Sequence, residues 1–88
     1  IEEIMYKCEI YVSLRKDVLD PQGKAIAKSA NSININNIMD VKQGKYFEVT
    51  LDNIKSSNIA KDLAIKLSEK LLCNEVIEDY KIVKIRKL

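Results

Sequence analysis

The sequence predicts an α+β fold of the ferredoxin-like kind, with the order β-α-β-β-α-β and both helices on one face of an antiparallel sheet. Three observations predict it: runs in which apolar residues alternate, two stretches with apolar residues every three to four positions, and a glycine-containing turn between two strand-like runs. A chain of 88 residues fits a single domain, residues 1–88, in which the pattern leaves residues 1–4 as an extension.

The clearest strand pattern covers residues 6–14, where every second side chain is apolar, as in a half-buried strand. Further strands are predicted over residues 38–41, 46–51 and 79–85. The turn between the second and third strands contains Gly44, which we expect to supply the positive φ of a tight hairpin.

The first helix is predicted from Pro21 to Ile33. Asp20 precedes it as an N-cap, and the missing N–H of proline costs nothing in a first turn. Asn34 follows as a left-handed stop, since asparagine tolerates that conformation. The apolar stripe of this helix consists of Ile26, Ala30 and Ile33.

The second helix is predicted over residues 58–72, with Ser56 or Ser57 as its cap and Asn74 as its stop. Its apolar stripe consists of Ala60, Leu63, Ala64, Leu67 and Leu71. Such a stripe is typical of a helix that packs against a sheet.

The composition argues against a catalyst that works alone. The chain has no histidine and only two glycines, which excludes Ser-His and Cys-His pairs and a phosphate-binding glycine loop. Cys8 and Cys73 are expected to be buried free thiols in a cytoplasmic protein, because disulfides are rare there. The net charge of +2 is too balanced for a nucleic-acid footprint, and no apolar run reaches the length of a membrane span.

Tyrosines are the first candidate contact residues. On the predicted strands, the sheet face without helices carries Tyr11, Tyr46 and Tyr80. Tyrosine is common at interfaces because one end is apolar and the other polar. This face is therefore predicted to contact a partner or a second copy, with ordinary surface tyrosines as the alternative.

Polar residues at two turns are the second set of candidates. Asp20, Gln22 and Lys24 can contact a ligand or partner at a helix start, or Asp20 can act only as a cap. Lys42 and Lys45 can meet an acidic partner surface, or form a solvated turn.

Two further charged groups have simpler alternatives. Glu78 and Asp79 could form a metal or acid-base pair, but adjacent carboxylates in a turn are more often solvated. The basic residues of the last strand could meet phosphates, or only protect a strand edge from aggregation.

Five stretches, in order, resemble the PurS family, the small subunit of phosphoribosylformylglycinamidine synthase. They are Met5-Tyr6-Lys7-Cys8-Glu9-Ile10-Tyr11-Val12, Val18-Leu19-Asp20-Pro21-Gln22-Gly23-Lys24-Ala25, Asp40-Val41-Lys42-Gln43-Gly44-Lys45-Tyr46-Phe47-Glu48, Glu69-Lys70-Leu71-Leu72-Cys73-Asn74 and Val76-Ile77-Glu78-Asp79-Tyr80. The likeness covers residues 5–85. It departs from the family at Lys42, Asn34 and Glu75, where arginine, glycine and proline are common.

The resemblance implies a non-catalytic subunit of purine biosynthesis. Such proteins form homodimers or larger assemblies, here a homodimer or homotetramer, and join a glutaminase, PurQ, to an ATP-using synthetase, PurL. The glutaminase frees ammonia and the synthetase uses it to convert formylglycinamide ribonucleotide to its amidine. The small subunit is implied to bridge the two and support ammonia transfer, to bind no cofactor itself while the complex uses ATP and Mg, and to meet neither nucleic acid nor membrane.

Two hypotheses from other classes stay open on the residues alone. A ferredoxin-like module that binds a metabolite or RNA could use Tyr11 and Tyr46 for base stacking, although the glycine-aromatic signature of such modules is missing. A stand-alone enzyme could use Asp, Lys or Tyr. For a bridging subunit, we expect the face without helices, or its edge, to pair two copies and leave residues 20–24 and the basic turn free for the larger subunits.

Overall fold

Within the described residues, three antiparallel strands form one sheet, in which the first strand along the chain lies between the other two. The computed structural model describes residues 4–88, and its strands are β1 (Tyr6–Leu14), β2 (Gly44–Leu51) and β3 (Glu78–Lys87). The helices are α1 (Pro21–Ser32) and α2 (Ser57–Leu67), which a π-helix, Ser68–Leu72, continues. The ferredoxin-like α+β class is thereby confirmed, with the order β-α-β-α-β.

The predicted strand over residues 38–41 is wrong, since the described residues contain no strand between α1 and β2. The predicted hairpin is therefore absent, and Gly44 opens β2 without a positive φ. The physical reason lies in Gln43, whose backbone N–H donates to the Asp20 carboxylate at 2.7 Å and not to a strand. In the part of the chain that the structure describes, positive φ falls on three asparagines instead: Asn34 as predicted, Asn37 and Asn53.

A bulge in β3 lets two of its isoleucines face the core. The register shifts between Glu9 and Ile10, so that Ile82 lies opposite Ile10 while Ile85 lies opposite Cys8. Residues three positions apart point to opposite faces of a regular strand, but an extra residue lets both point the same way. The bulge therefore places both isoleucines beside the core.

The core lies between the sheet and α2. Its buried members are Tyr6, Cys8, Ile10, Val12, Ile54, Ala60 and Ala64. Ser56 caps α2, as predicted, by accepting from the backbone N–H of Ile59 at 3.3 Å. The small Ala60 and Ala64 let the helix approach the sheet closely, whereas Leu71 of the predicted stripe is 77% exposed, because it lies in the π-helix, where the helical register changes.

The ends of the chain adjoin this core. The carbonyl oxygen of Ile4 accepts from the backbone N–H of Ile54 at 3.1 Å, so Ile4 belongs to the fold. The other three residues of the predicted extension, residues 1–3, lie outside the described residues. Cys8 is fully buried and Cys73 half-buried, and both thiols are free.

Helix α1 does not complete the helical layer. Within residues 4–88, it makes no extensive contact with the sheet or with α2, although the prediction placed both helices over the sheet. It extends away together with the returning segment, and we call residues 20–43 the arm. The radius of gyration is 17.2 Å and the longest dimension is 58 Å, whereas a compact chain of this length has a radius of about 12 Å.

Candidate partner-binding surfaces

Asp20 fixes the start of the arm with both carboxylate oxygens. One oxygen accepts from the backbone N–H of Gly23 at 2.9 Å, which caps α1 as predicted, and the other accepts from Gln43 at 2.7 Å. The backbone N–H groups of Gln43 and Gly23 lower the pKa of this carboxyl below its usual value. A residue predicted as a cap thus also ties the two ends of the arm together.

Gly23 allows the backbone at the start of α1 to touch the backbone of the returning segment at Val41. A Cβ atom at this position would overlap the carbonyl oxygen of Val41 and lie 2.8 Å from its carbonyl carbon. Only a residue without a side chain permits so close an approach of two backbones. Asp20 and Gly23 together explain why the arm leaves the sheet as one folded unit.

We call the base of the arm, where Asp20 and Gly23 contact Gln43 and Val41, the junction. Five of the predicted contact residues lie at or around the junction. Lys24 and Lys42 line one surface cavity of about 280 Å³, together with Asp20. Gln22 and Lys45 line a second cavity, of about 190 Å³, to which Asp20 also contributes. The structure therefore brings together residues that lie up to 25 positions apart in the sequence.

Two of these lysines are already engaged within the chain. The ammonium of Lys42 donates to the carbonyl oxygen of Lys16 at 3.1 Å. The ammonium of Lys45 lies 3.8 Å from a carboxylate oxygen of Glu78. Both side chains keep exposed surface, and the linings of the two cavities hold as many carboxylates as lysines, so the junction presents a polar surface of mixed charge.

The face of the sheet without helices carries Tyr11 and Tyr46 as predicted. They lie opposite one another in the β1–β2 register and are 38% and 53% exposed. Tyr46 donates a hydrogen bond to the Glu9 carboxylate, which raises the pKa of Tyr46 to about 12. Charged side chains surround the pair, including an ion pair at 3.1 Å between Lys7 and Glu48.

Tyr80 was predicted on the same face and lies on the other one. It pairs with the buried Val12 in the β1–β3 register, and side chains opposite an inward residue also point inward. It packs against the core, and burial raises its pKa. Tyr80 is therefore separated from the tyrosine pair by the thickness of the sheet.

A surface that the sequence analysis missed lies where the π-helix and the turn after it meet the start of β3. A cavity of about 470 Å³ is lined by Arg15, Glu69, Cys73, Glu75, Glu78, Asp79 and Tyr80. Arg15 lies 3.4 Å from the Asp79 carboxylate and also donates to the carbonyl oxygen of Glu75. Four acidic residues between positions 69 and 79 are the signal in the sequence, but their convergence depends on the turn that Asn74 forms.

Burial raises the pKa of both thiols, Cys8 and Cys73, which keeps them protonated and poorly nucleophilic. Among the described residues, no group of three or more metal-ligating side chains converges. Glu78 and Asp79 pair with Lys45 and Arg15. Within residues 4–88, no helix is long and apolar enough to cross a membrane.

Comparison with known proteins decides the family. The model of the PurS family, described as phosphoribosylformylglycinamidine (FGAM) synthase, matches residues 7–86. The chain belongs to the PurS family. Its curated relatives include the PurS subunit of Bacillus subtilis, which is 47% identical over 77 residues, or 88% of this chain and 89% of the relative. The PurS subunit of Mycobacterium leprae is 40% identical over 91% of this chain and 96% of the relative.

Solved structures of the family share the fold. Bacillus subtilis PurS in its C2 crystal form has a TM-score of 0.79 at 43% identity, covering 92% of this chain and 98% of that one. A chain of the structure described as PurLQS from Thermotoga maritima has a TM-score of 0.80 at 26% identity, covering 96% and 98%. The fold is therefore shared over nearly the whole chain with relatives of 43% and 26% identity.

Proposed function

We propose that this chain is the small, non-catalytic subunit of phosphoribosylformylglycinamidine synthase in purine biosynthesis. In this proposal it assembles with itself, as a homodimer or homotetramer, and bridges a glutaminase subunit, PurQ, and a synthetase subunit, PurL. The observation that supports it most is the family match over residues 7–86, with 47% identity to the Bacillus subtilis subunit.

The geometry supports a bridging role. The described residues offer several separate polar and aromatic surfaces around a small core, and the chain contains no histidine. We assign contact with the larger subunits to the junction around Asp20, where Gln22, Lys24, Lys42 and Lys45 surround a rigid backbone. A rigid contact surface loses little conformational entropy on binding.

The chemistry of the complex is then divided among its subunits. The glutaminase releases ammonia, and the synthetase uses ATP with Mg to activate the amide of the substrate, so this chain itself binds no cofactor. Its contribution is to hold the other subunits in register so that ammonia passes between them without loss to water, which is the use of a closed interface. We place the assembly in the cytoplasm, without contact to membrane or nucleic acid.

Reconstitution tests this role. The cognate glutaminase and synthetase subunits are assayed for amidine synthesis with glutamine or with free ammonia, each with and without this chain. We expect glutamine-dependent synthesis to require the chain and ammonia-dependent synthesis to proceed without it. Equal glutamine-dependent rates with and without the chain would contradict the proposal.

A charge-reversal pair tests the assigned surface. Lys24→Glu with Lys42→Glu should lower glutamine-dependent synthesis at least about 10-fold, since reversed charges at a contact oppose association. The matched control is Lys61→Glu with Lys66→Glu on the exposed side of α2, which should leave the rate unchanged. Equal losses in the two variants would show that the junction has no special part.

The nucleic-acid alternative has its own measurement. The paired, exposed Tyr11 and Tyr46 are the feature that favours base stacking. A short single-stranded RNA should show no salt-dependent mobility shift with the bridging subunit. A shift that weakens steeply with salt would favour the RNA-binding module instead.

A further inference from the structure

Three basic side chains of β3 lie opposite residues of β1 that point away from α2. The pairs are Lys81 with Tyr11, Lys84 with Glu9, and Arg86 with Lys7. Side chains directly opposite one another lie on the same face of a sheet, so all three basic groups point to the face without helices. We call Lys81, Lys84 and Arg86 the basic stripe, which spans about 14 Å along the strand.

The basic stripe depends on the bulge in β3. Ile82 points inward, so in a regular strand the inward positions would continue with Lys84 and Arg86. The extra residue of the bulge, Val83, shifts this alternation, which brings Ile85 to the core and Lys84 to the opposite face. Bulges are common where a strand has to re-aim a side chain, and this one produces a row of like charges as well as a packed core.

The charges of the basic stripe are not neutralised within the described chain. None of the ion pairs within residues 4–88 includes a residue of the stripe. The carboxylates of the same face are bound to other groups: Glu9 to Tyr46, Glu48 to Lys7 and Asp79 to Arg15. Residues 80–88 include no acidic residue. Because like charges side by side repel one another, the stripe offers its charge to another molecule.

An acidic protein surface is the occupant that this face favours. A nucleic-acid strand stacked on the tyrosine pair would bring its phosphates beside Glu9 and Glu48, and phosphates and carboxylates repel one another. The described residues of a second copy would offer on this face only carboxylates that are already bound within their own chain. A partner with free carboxylates meets neither obstacle, since opposite charges across an interface attract.

We propose that the basic stripe binds an acidic surface of one of the two larger subunits. The proposal deepens the bridging role in the proposed function and rests on it. The stripe is separate from the junction: in the register, Gly44 beside the junction lies near one end of β1 and Arg86 near the other, about 20 Å along the strand. A bridge has to contact two partners, and two surfaces of different charge let it discriminate between them.

Titration of a charge-reversed chain into the reconstituted complex tests this contact. Lys81→Glu with Arg86→Glu should raise the chain concentration that gives half-maximal glutamine-dependent synthesis at least about 10-fold, because like charges would then face each other. Neither position lies opposite a carboxylate of β1, so we expect the variant to keep its fold, which far-UV circular dichroism checks. The matched control is Lys61→Glu with Lys66→Glu on α2, which changes the net charge equally and should titrate as the wild type does.

A conservative variant separates this contact from protection of the strand edge. Protection of an edge needs charge but not one particular sign, so it survives charge reversal. Lys81→Arg with Arg86→Lys keeps the positive charge and should titrate as the wild type does. A charge-reversed variant that titrates as its control does would overturn the contact and leave only protection of the edge.

Cross-linking identifies the molecule that covers the basic stripe. Val83 is 53% exposed and lies in the bulge between the basic residues. Val83→Cys in a Cys73→Ser background can therefore carry a benzophenone maleimide without removal of a charge. Illumination of the reconstituted complex should join this chain to one of the larger subunits. Cross-links to a second copy alone, or no cross-link to either larger subunit, would overturn the proposal.

Two further measurements exclude the other occupants. The charge-reversed variant should self-associate in sedimentation as the wild type does, and dissociation would assign the stripe to contact between copies. A short single-stranded RNA should not shift with the wild-type chain. A salt-dependent shift that the charge-reversed variant loses would assign the stripe to nucleic acid. Either result would overturn the proposal.

The wild-type chain tests the proposed function separately. If glutamine-dependent synthesis does not require the wild-type chain, the subunit role fails and the contact through the stripe fails with it. If synthesis requires the wild-type chain and the charge-reversed variant titrates as its control does, only the contact fails and the subunit role stands.

Discussion

The arm and the body of the molecule are stabilised by different physics. In the body, Cys8, Ile10 and Val12 are fully buried under α2, and the favourable term is removal of apolar surface from water. In the arm, the buried residues are Asp20 and Gly23, and the stabilising contacts are backbone hydrogen bonds to one carboxylate. The difference teaches that the body folds around an apolar core, whereas the arm keeps its shape through polar contacts at its base while its large apolar side chains stay exposed.

The largest expected contrast comes from the same truncation in each region. Ile10→Ala should lower the free energy of unfolding by about 2–5 kcal/mol, since it leaves a cavity in a closely packed core. Ile26→Ala should cost less than about 1 kcal/mol in the single chain, because its side chain is 45% exposed. Urea unfolding at a chain concentration low enough to favour single copies measures both.

One result would contradict this contrast between body and arm. Equal losses for Ile10→Ala and Ile26→Ala at low concentration would mean that α1 packs against its own body. Repeating the measurement at high concentration sharpens the comparison, since a loss for Ile26→Ala that grows with concentration shows that the arm is buried by association.

The two glycines give the next largest contrast. Gly23→Ala should cost about 2–4 kcal/mol, because its Cβ would meet the backbone of Val41, and backbone atoms can yield only by moving the arm. Gly44→Ala should cost less than about 1 kcal/mol, since its Cβ meets the phenol end of Tyr11, which can turn into solvent. Thermal or urea unfolding of the two variants checks the difference.

An equal cost at the two positions would contradict this account of the junction. The amide resonance of Gln43 gives a local control, because its hydrogen bond to Asp20 breaks if the arm shifts. We expect that resonance to move in Gly23→Ala and to stay in place in Gly44→Ala.

At the junction, the sequence predicts the ends of α1 but not the contacts between distant residues. Asp20 and Pro21 predict the start of α1, and Asn34 predicts its end, because caps depend on a few neighbouring residues. The second hydrogen bond of Asp20 and the contact of Gly23 involve Gln43 and Val41, some 20 residues away. No local pattern indicates such contacts, so the apolar residues around Ile38 predict a strand that the sheet does not contain.

The sheet shows the same limit from another side. The strands over residues 6–14 and 46–51 follow from clean alternation, since one face of each is apolar. The sequence predicts the wrong face for Tyr80, because the register between β3 and β1 decides which side chains of β3 point inward. That register includes a bulge that no turn residue in the sequence indicates. The structure brings the predicted contact residues around Asp20 close together, and their role in contact stays a prediction. The hairpin predicted to present Lys42 and Lys45 does not exist.

The smallest expected effect concerns pH and the Asp20 carboxylate. Its pKa is lower in the folded chain than its ordinary value of 3.8, so the unfolded chain binds more protons between the two values and stability rises with pH there. The stabilisation is therefore complete above about pH 4 and is lost as the pH falls through the folded pKa. Urea unfolding between pH 7 and pH 2.5 measures this slope.

Asp20→Asn separates this contribution from the other carboxylates. The asparagine side chain has a single oxygen, so it can accept from Gly23 or from Gln43 but not from both, and its charge no longer depends on pH. We expect the variant to be less stable than the wild type at pH 7 and to lose less stability on acidification. The exposed Asp17 supplies the control, since Asp17→Asn should keep the wild-type profile. If Asp20→Asn kept it as well, the arm would be held by packing along its length and not by the carboxylate at its base.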